Sequence, residues 1–337
     1  MALMRRTPSR FVLATALLLP LGSGAALAQP VFLSGGTIVG PNDLQYEGQD
    51  IVIHSGTVTI TGLHAFNSLI VHAGGTLTHA PGSTGLNLVI ERNLTIHGPA
   101  SGLPAGQIDV SGRGHPAQQG PGAGGSACGA AGGGGHGGRG GPPQLGGAIY
   151  GSPHMPSSLG SGGGQDVCDD SAVGGAGGGS VRLQVLQAII LNGQVDASGQ
   201  DALSGGAGGG SGGSVLILAA DLFGIGTVRA DGGSGSGPGG AGGGGRVSLI
   251  TSAASYPCGM ISVHGPGLAE SGTVHTRADA DNNGHYGTGD ISAFLAAWFA
   301  GLGNPGPLSD FNRDGVVTTA DVSAFLSAWF DNLACVR

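Results

Sequence analysis

Gly179-Ser180-Val181-Arg182-Leu183, Gly213-Ser214-Val215-Leu216-Ile217 and Gly245-Arg246-Val247-Ser248-Leu249 are three versions of one phrase, and their valines recur at intervals of 34 and 32 residues. A second phrase travels with the first: Ile108-Asp109-Val110-Ser111-Gly112, Val195-Asp196-Ala197-Ser198-Gly199 and Val228-Arg229-Ala230-Asp231-Gly232. A period near 33, built from short apolar strands and glycine turns, is the signature of stacked coils. One coil cannot bury its own apolar face, so neighbouring rungs must cover each other. The expected fold is therefore mainly β, a Gly-rich right-handed parallel β-helix or related solenoid. Glycine suits its corners, where positive φ and close backbone approach are needed.

The chain upstream agrees. Ile51–Ile53, Thr57–Ile60, Ser68–Val71, Thr76–Thr78, Leu86–Ile90 and Leu94–Ile96 are short β-branched runs separated by Gly, Asn, Ser or His. They read as strands, with no helix-period segment among them. Between the repeat copies, about 120–179 is dense in Gly, Pro and Ser and poor in apolar side chains. It is expected to project as a long loop or a disordered insert. Cys128 and Cys168 lie inside it and are the candidate disulfide; with Cys258 and Cys335, the chain's four cysteines allow three connectivities.

Residues 1–28 read as an export signal: Arg5, Arg6 and Arg10, an apolar run from Phe11, and Ala26-Leu27-Ala28 as a cleavage site. A secreted, extracellular or cell-surface location follows. No later stretch is apolar for long enough to span a bilayer. Lysine is absent, and after the signal nine Arg face twenty Asp and Glu, a balance of −11. That excludes nucleic acid as a natural partner. With 74 glycines in 337 residues, the composition is unlike an ordinary globular enzyme.

Within 29–277 no catalytic constellation is legible. G-x-S-x-G, H-E-x-x-H and a P-loop are all missing. Asp109, Asp196 and Asp231 recur inside the repeated phrase, which points to turn capping. Asp166, Asp169 and Asp170 around Cys168 read as a solvated loop, with a third calcium site as the alternative. His54, His64, His72, His79 and His97 fit no zinc spacing and read as outward or turn residues.

The last sixty residues, 278–337, form a different unit. Asp279-Ala280-Asp281-Asn282-Asn283-Gly284-His285-Tyr286-Gly287-Thr288-Gly289-Asp290 and Asp310-Phe311-Asn312-Arg313-Asp314-Gly315-Val316-Val317-Thr318-Thr319-Ala320-Asp321 are copies of one loop. Oxygen-bearing side chains fall at loop positions 1, 3, 5 and 12, with glycine at 6, which is the spacing of a calcium loop. The ligands would be Asp279, Asp281, Asn283 and Asp290 in the first loop, and Asp310, Asn312, Asp314 and Asp321 in the second. The carbonyls of His285 and Val316 would complete two Ca²⁺ sites. Of seven acidic residues in this tail, six occupy those positions. The second site is expected to be the tighter.

Each loop precedes an amphipathic helix: Ile291, Phe294, Leu295, Trp298 and Phe299, then Val322, Phe325, Leu326, Trp329 and Phe330, at i, i+3, i+4, i+7 and i+8. Neither loop follows a helix, and both end in Asp rather than Glu. In these respects the tail resembles a type I dockerin, most closely the dockerin-like tails of planctomycete-type exported proteins. The resemblance covers about sixty residues. It implies calcium-dependent docking to a cohesin-like partner, with loop positions 10 and 11, here Thr288, Gly289, Thr319 and Ala320, helping to choose it. The helices are more apolar and less basic than those of cellulosomal dockerins.

Two functions are consistent with this organisation. One is an exported structural or surface protein whose tail docks and whose solenoid is displayed. The other is a carbohydrate-active component of a dockerin–cohesin complex, a polysaccharide lyase, glycoside hydrolase or glycan-binding module. Exposed aromatics for a glycan platform are few, and the first reading is preferred.

Overall fold

A computed structural model describes residues 29–251, 256 and 260–333. Residues 1–28, expected to be an export signal, and Cys258 and Cys335 lie outside them.

Sixteen strands stack in parallel: β1 (Val31–Ser34), β2 (Ile38–Val39), β3 (Asp50–Ile60), β4 (Gly62–Phe66), β5 (Ser68–Val71), β6 (Gly75–Thr78), β7 (Leu86–Ile90), β8 (Leu94–Ile96), β9 (Gln107–Asp109), β10 (Ser180–Leu191), β11 (Gln194–Asp196), β12 (Ser214–Phe223), β13 (Thr227–Arg229), β14 (Arg246–Thr251), β15 (Ile261–Ser262) and β16 (Thr273–Thr276). Two α-helices follow among the described residues, α1 (Thr288–Gly301) and α2 (Thr319–Leu333).

The pairings resolve into three ladders. One runs β4-β7-β10-β12-β14-β16, a second β1-β3-β5-β8-β10-β12, and a third β2-β3-β6-β9-β11-β13-β15. Long strands such as β3 and β10 turn a corner and serve two ladders. The result is solenoid-like, as the 33-residue period predicts.

Register explains the repeat. Alternate residues of a strand face opposite sides, so in-register apolar residues build continuous columns. Ile51, Leu69, Leu94, Ile189 and Leu222 form one, and Leu88, Leu183, Ile217 and Leu249 another. All are buried. Burying each such side chain contributes about 1.5–3 kcal/mol.

The repeated aspartates do cap turns. Asp109 Oδ1 accepts from the Ser111 amide and hydroxyl, and Asp196 Oδ1 from the Ser198 amide. The third copy departs from the pattern: Arg229 occupies the register place of Asp196 and ion-pairs with Asp231 at 2.7 Å. The histidines also divide. His64 points inward in register with Leu88, held at 2.7 Å from Glu47, and His79 is fully buried against Ala80 and Ser83. His64 is a correction, since an outward or turn position was expected; His79 does lie in the turn region after β6, but buried.

The larger correction concerns 120–179. It neither projects nor lacks structure. With the other connections from the third ladder to the first (197–213, 230–245, 263–272), it forms a bundle of extended glycine threads. Within 131–135, amides 131 and 134 donate to Gly206 and Gly209, amides 132 and 135 to Gly125 and Gly122, and amide 133 to Gly141. Within 208–213 the same three-way rotation recurs: 208 and 211 donate to 164 and 161, 209 and 212 to 240 and 243, 210 and 213 to 200 and 197. Amide directions that repeat every third residue mean three residues per turn, the geometry of a polyproline-II-type thread. Such a thread has no internal hydrogen bonds, and here every direction is filled by another thread. Burial is achieved between backbones, so apolar side chains are not needed. Cys128 and Cys168, forty residues apart, are joined by a disulfide at one margin of this bundle. Closing a loop of that length stabilises by about 3–4 kcal/mol on the chain-entropy account.

His136 lies in the bundle, fully buried. Its Nδ1–H donates to Gly212 O at 2.9 Å, while Nε2 meets no partner. Burial, with the nearby Arg246 charge, pushes its pKa down to about 4. The unfolded chain holds this proton from about pH 6.5 downward. The unfolded state therefore binds more protons between these values, and stability falls as pH falls from about 6.5 towards 4. Denaturant melts at pH 7.5 and 4.5 should differ by about 2–3 kcal/mol on this account. His136→Asn should remove most of the difference; an unchanged pH dependence in that variant would assign it elsewhere.

Candidate metal centre

The C-terminal loops are positioned by the solenoid. β16 is the last strand of its ladder, and Asp279 follows three residues after it. His275, in β16, places Nδ1 2.7 Å from Asp279 Oδ2 and Nε2 2.7 Å from His154 Nδ1. Arg277 lies over the Phe311 ring at 4.5 Å and donates to the carbonyls of Phe311 and Pro307. The first loop is thus fixed to the solenoid's end and the second loop to the first.

The two loops share one hydrogen-bond plan. The Gly284 and Gly315 amides donate to Asp279 and Asp310 Oδ2, at 2.8 and 3.0 Å. The Asp281 and Asn312 amides reach Asp290 and Asp321 Oδ1, at 3.3 and 3.0 Å. The Gly287 and Thr318 amides reach the second oxygens of the same aspartates. Asn283 and Asp314 each accept from the amide two residues on, that of His285 or Val316. Left-handed backbone recurs in step, at Asn282 and Gly284, then Arg313 and Gly315. Glycine at loop position 6 supplies the sharp turn at φ 80° and 87°.

Asp279, Asp281 and Asp290 bring carboxylate oxygens within 4.8 Å of one another. Asp279, Asp290 and Asp321 are buried, whereas Asn283, Asn312, Asp314, His285 and Val316 are exposed. Burial raises the Asp290 pKa, and the Asp281 and Asp279 charges add to this. Burial also opposes ionisation of Asp279, but His275 and the Gly284 and Asn283 amides outweigh it and hold its pKa low. In the second loop, Asp310 Oδ1 is buried without a hydrogen-bond partner. Converging carboxylates and an orphaned carboxylate oxygen both suit a hard cation. The residues present therefore fit Ca²⁺.

The grouping of Asp166 with Cys128 and Cys168 is different. Those sulfurs are spent on the disulfide, and Asp166 accepts from the Gly129, Cys168 and Gly206 amides. It pins loops together.

Below the loops, Phe294 and Phe325 stack at 4.0 Å, with Phe311 edge-on to both. The expected helix faces are narrower than the spacing suggested, because Phe299 and Phe330 are 64% and 61% exposed. Thr288, Gly289, Thr319 and Ala320 lie on the first turns of α1 and α2, all exposed. A Cβ on Gly289 would approach Asp281 Oδ2 to 2.4 Å, so glycine there leaves room for a ligand carboxylate. Sequence reasoning missed His275, Arg277 and His154. The first two flank the loop without belonging to its pattern, and His154 lies 121 residues from its partner.

Set against known protein families, characterised proteins and solved structures, the chain finds no match.

Proposed function

We propose that the protein is an exported scaffold. Its type I dockerin-like tail binds two calcium ions and docks to a cohesin-like partner, while the glycine-rich solenoid is displayed. The observation that carries this is the duplicated loop plan, with the orphaned Asp310 oxygen in one copy and three converging carboxylates in the other. Two features favour docking through the tail. Positions 10 and 11 of both loops are exposed, and Phe299 and Phe330 present matching apolar side chains near the ends of α1 and α2. No described helix is long and apolar enough to cross a membrane. The test uses the mature full chain as bait against envelope and secreted fractions, in calcium and then in chelator. A cohesin-like protein retained only in calcium supports the proposal. Capture that is indifferent to chelator, or none, defeats it.

A second reading, glycan binding by the solenoid, has one specific observation in its favour. A groove of about 420 Å³ on the third ladder is lined by Thr57, Thr76, Thr78, Gln107, Asp109 and Arg113. The Thr78 hydroxyl there is buried without a partner. Hydroxyls and amides at rung spacing suit a polyhydroxylated ligand. A single lining carboxylate does not suit hydrolysis, which uses two. Polysaccharide retention that survives Thr76→Val and Gln107→Leu together would remove the groove from consideration.

A further inference from the structure

We propose that His54, His72 and His97 form a binding site for a divalent transition metal of the zinc–copper type on the outer surface of the solenoid. The three follow Ile53, Val71 and Ile96, which are register partners in β3, β5 and β8. They therefore occupy one place in three successive rungs, and rungs are spaced by about 4.8 Å. Eighteen and twenty-five residues separate them in sequence, so only stacking brings them together.

The rings are neighbours but not yet gathered on one point: their nitrogens do not all lie within 4.8 Å of one another, so coordination requires these outward side chains to turn. A metal–nitrogen bond is about 2.0–2.1 Å, and two imidazoles on one ion then have centroids about 4.5–5.2 Å apart for bond angles between right-angled and tetrahedral. His72 and His97 have centroids 4.7 Å apart, with planes inclined at 62°. His54 and His72 are 5.8 Å apart, inclined at 72°. The first centroid distance falls inside that range and the second outside it, and the rings must rotate to bring their nitrogens onto one ion.

The rings are also chemically available. His64, His79, His136 and His275 each have a ring nitrogen tied to protein. Among the described residues, no hydrogen bond or ion pair engages the rings of His54, His72 or His97. Burial and its two imidazole neighbours lower the His72 pKa, favouring the neutral form that carries a free lone pair. Imidazole suits zinc, copper and nickel, whereas calcium requires oxygen. Water would complete the coordination sphere on the exposed side. The site is thus chemically separate from the C-terminal loops, and neither proposal depends on the other.

The test is calorimetric titration of untagged mature protein with Zn²⁺, in excess calcium so that the acidic loops are already filled. One site is expected, weakened about tenfold or more by His72→Asn and by His97→Asn, less by His54→Asn, and unchanged by His264→Asn. With Cu²⁺ as probe, electron paramagnetic resonance should show coupling to at least two imidazole nitrogens, lost in His72→Asn. These side chains face outward, so circular dichroism of the variants should match the parent. Equal Zn²⁺ affinity in parent and His72→Asn, or no binding and no nitrogen coupling in the parent, would overturn the proposal.

Discussion

Gly133→Ala should abolish the native glycine bundle. A Cβ at this position would lie 1.7 Å from the Ala241 carbonyl oxygen, far inside the van der Waals contact distance of the two atoms. The obstacle is backbone, not the movable end of a side chain. Ala241 cannot retreat, because its carbonyl accepts from the Gly141 amide, and Gly133 is tied to Gly141 and Gly147. Relief would require separating threads and leaving buried amides unpaired, at about 1–3 kcal/mol for each. Several must open together, so the expected loss exceeds about 5 kcal/mol, beyond the range of ordinary substitutions. Gly287→Ala is the control: nothing lies within 4 Å of its added Cβ, and its φ of −150° is open to any residue. Denaturant melts of the two variants beside the parent decide the matter. A Gly133→Ala protein within about 1 kcal/mol of the parent would mean that the threads are not packed as described.

The glycine bundle is also where the sequence stops being legible. Strands such as Leu86–Ile90 and Leu94–Ile96 were readable because alternation and a 33-residue period carry positional information. The duplicated calcium-type loop was readable for the same reason. The glycine threads were not, because a stretch without apolar side chains ordinarily has no means of burial. Here the buried surface is backbone, and its three-residue rotation leaves no trace in a run of identical residues. The His54–His72–His97 ladder was hidden differently. Its members are unequally spaced in the chain and become equivalent only once the register of β3, β5 and β8 is known. His64 shows the converse: nothing in a lone histidine marks it as inward until Glu47 is found beside it.

Removing calcium should unfold the tail and leave the solenoid standing. Asp290 is buried, its pKa raised, beside Asp279 and Asp281. Without a cation these charges repel at close range, and in the second loop Asp310 Oδ1 remains buried and unpaired. Phe311, at position 2 of that loop, completes the Phe294–Phe325 stack, so loosening the loop opens the core between the helices. A site of micromolar affinity in millimolar calcium contributes about 4 kcal/mol. With two such sites, chelation removes about 8 kcal/mol from a unit too small to hold without help. Both tryptophans lie in this unit, Trp329 buried and Trp298 donating to Thr318 O at 2.8 Å. Chelator should therefore shift tryptophan emission to the red while the far-ultraviolet β signal persists. The two sites should also differ. Asp279 already has His275 and two amides to balance its charge, whereas Asp310 Oδ1 has no hydrogen-bond partner in the protein. Calorimetry should thus show a larger loss of affinity for Asp310→Ala than for Asp279→Ala. Emission indifferent to chelator would refute calcium as the tail's stabiliser. The reverse order of the two variants would instead place the tighter site in the first loop, where the carboxylates are already gathered.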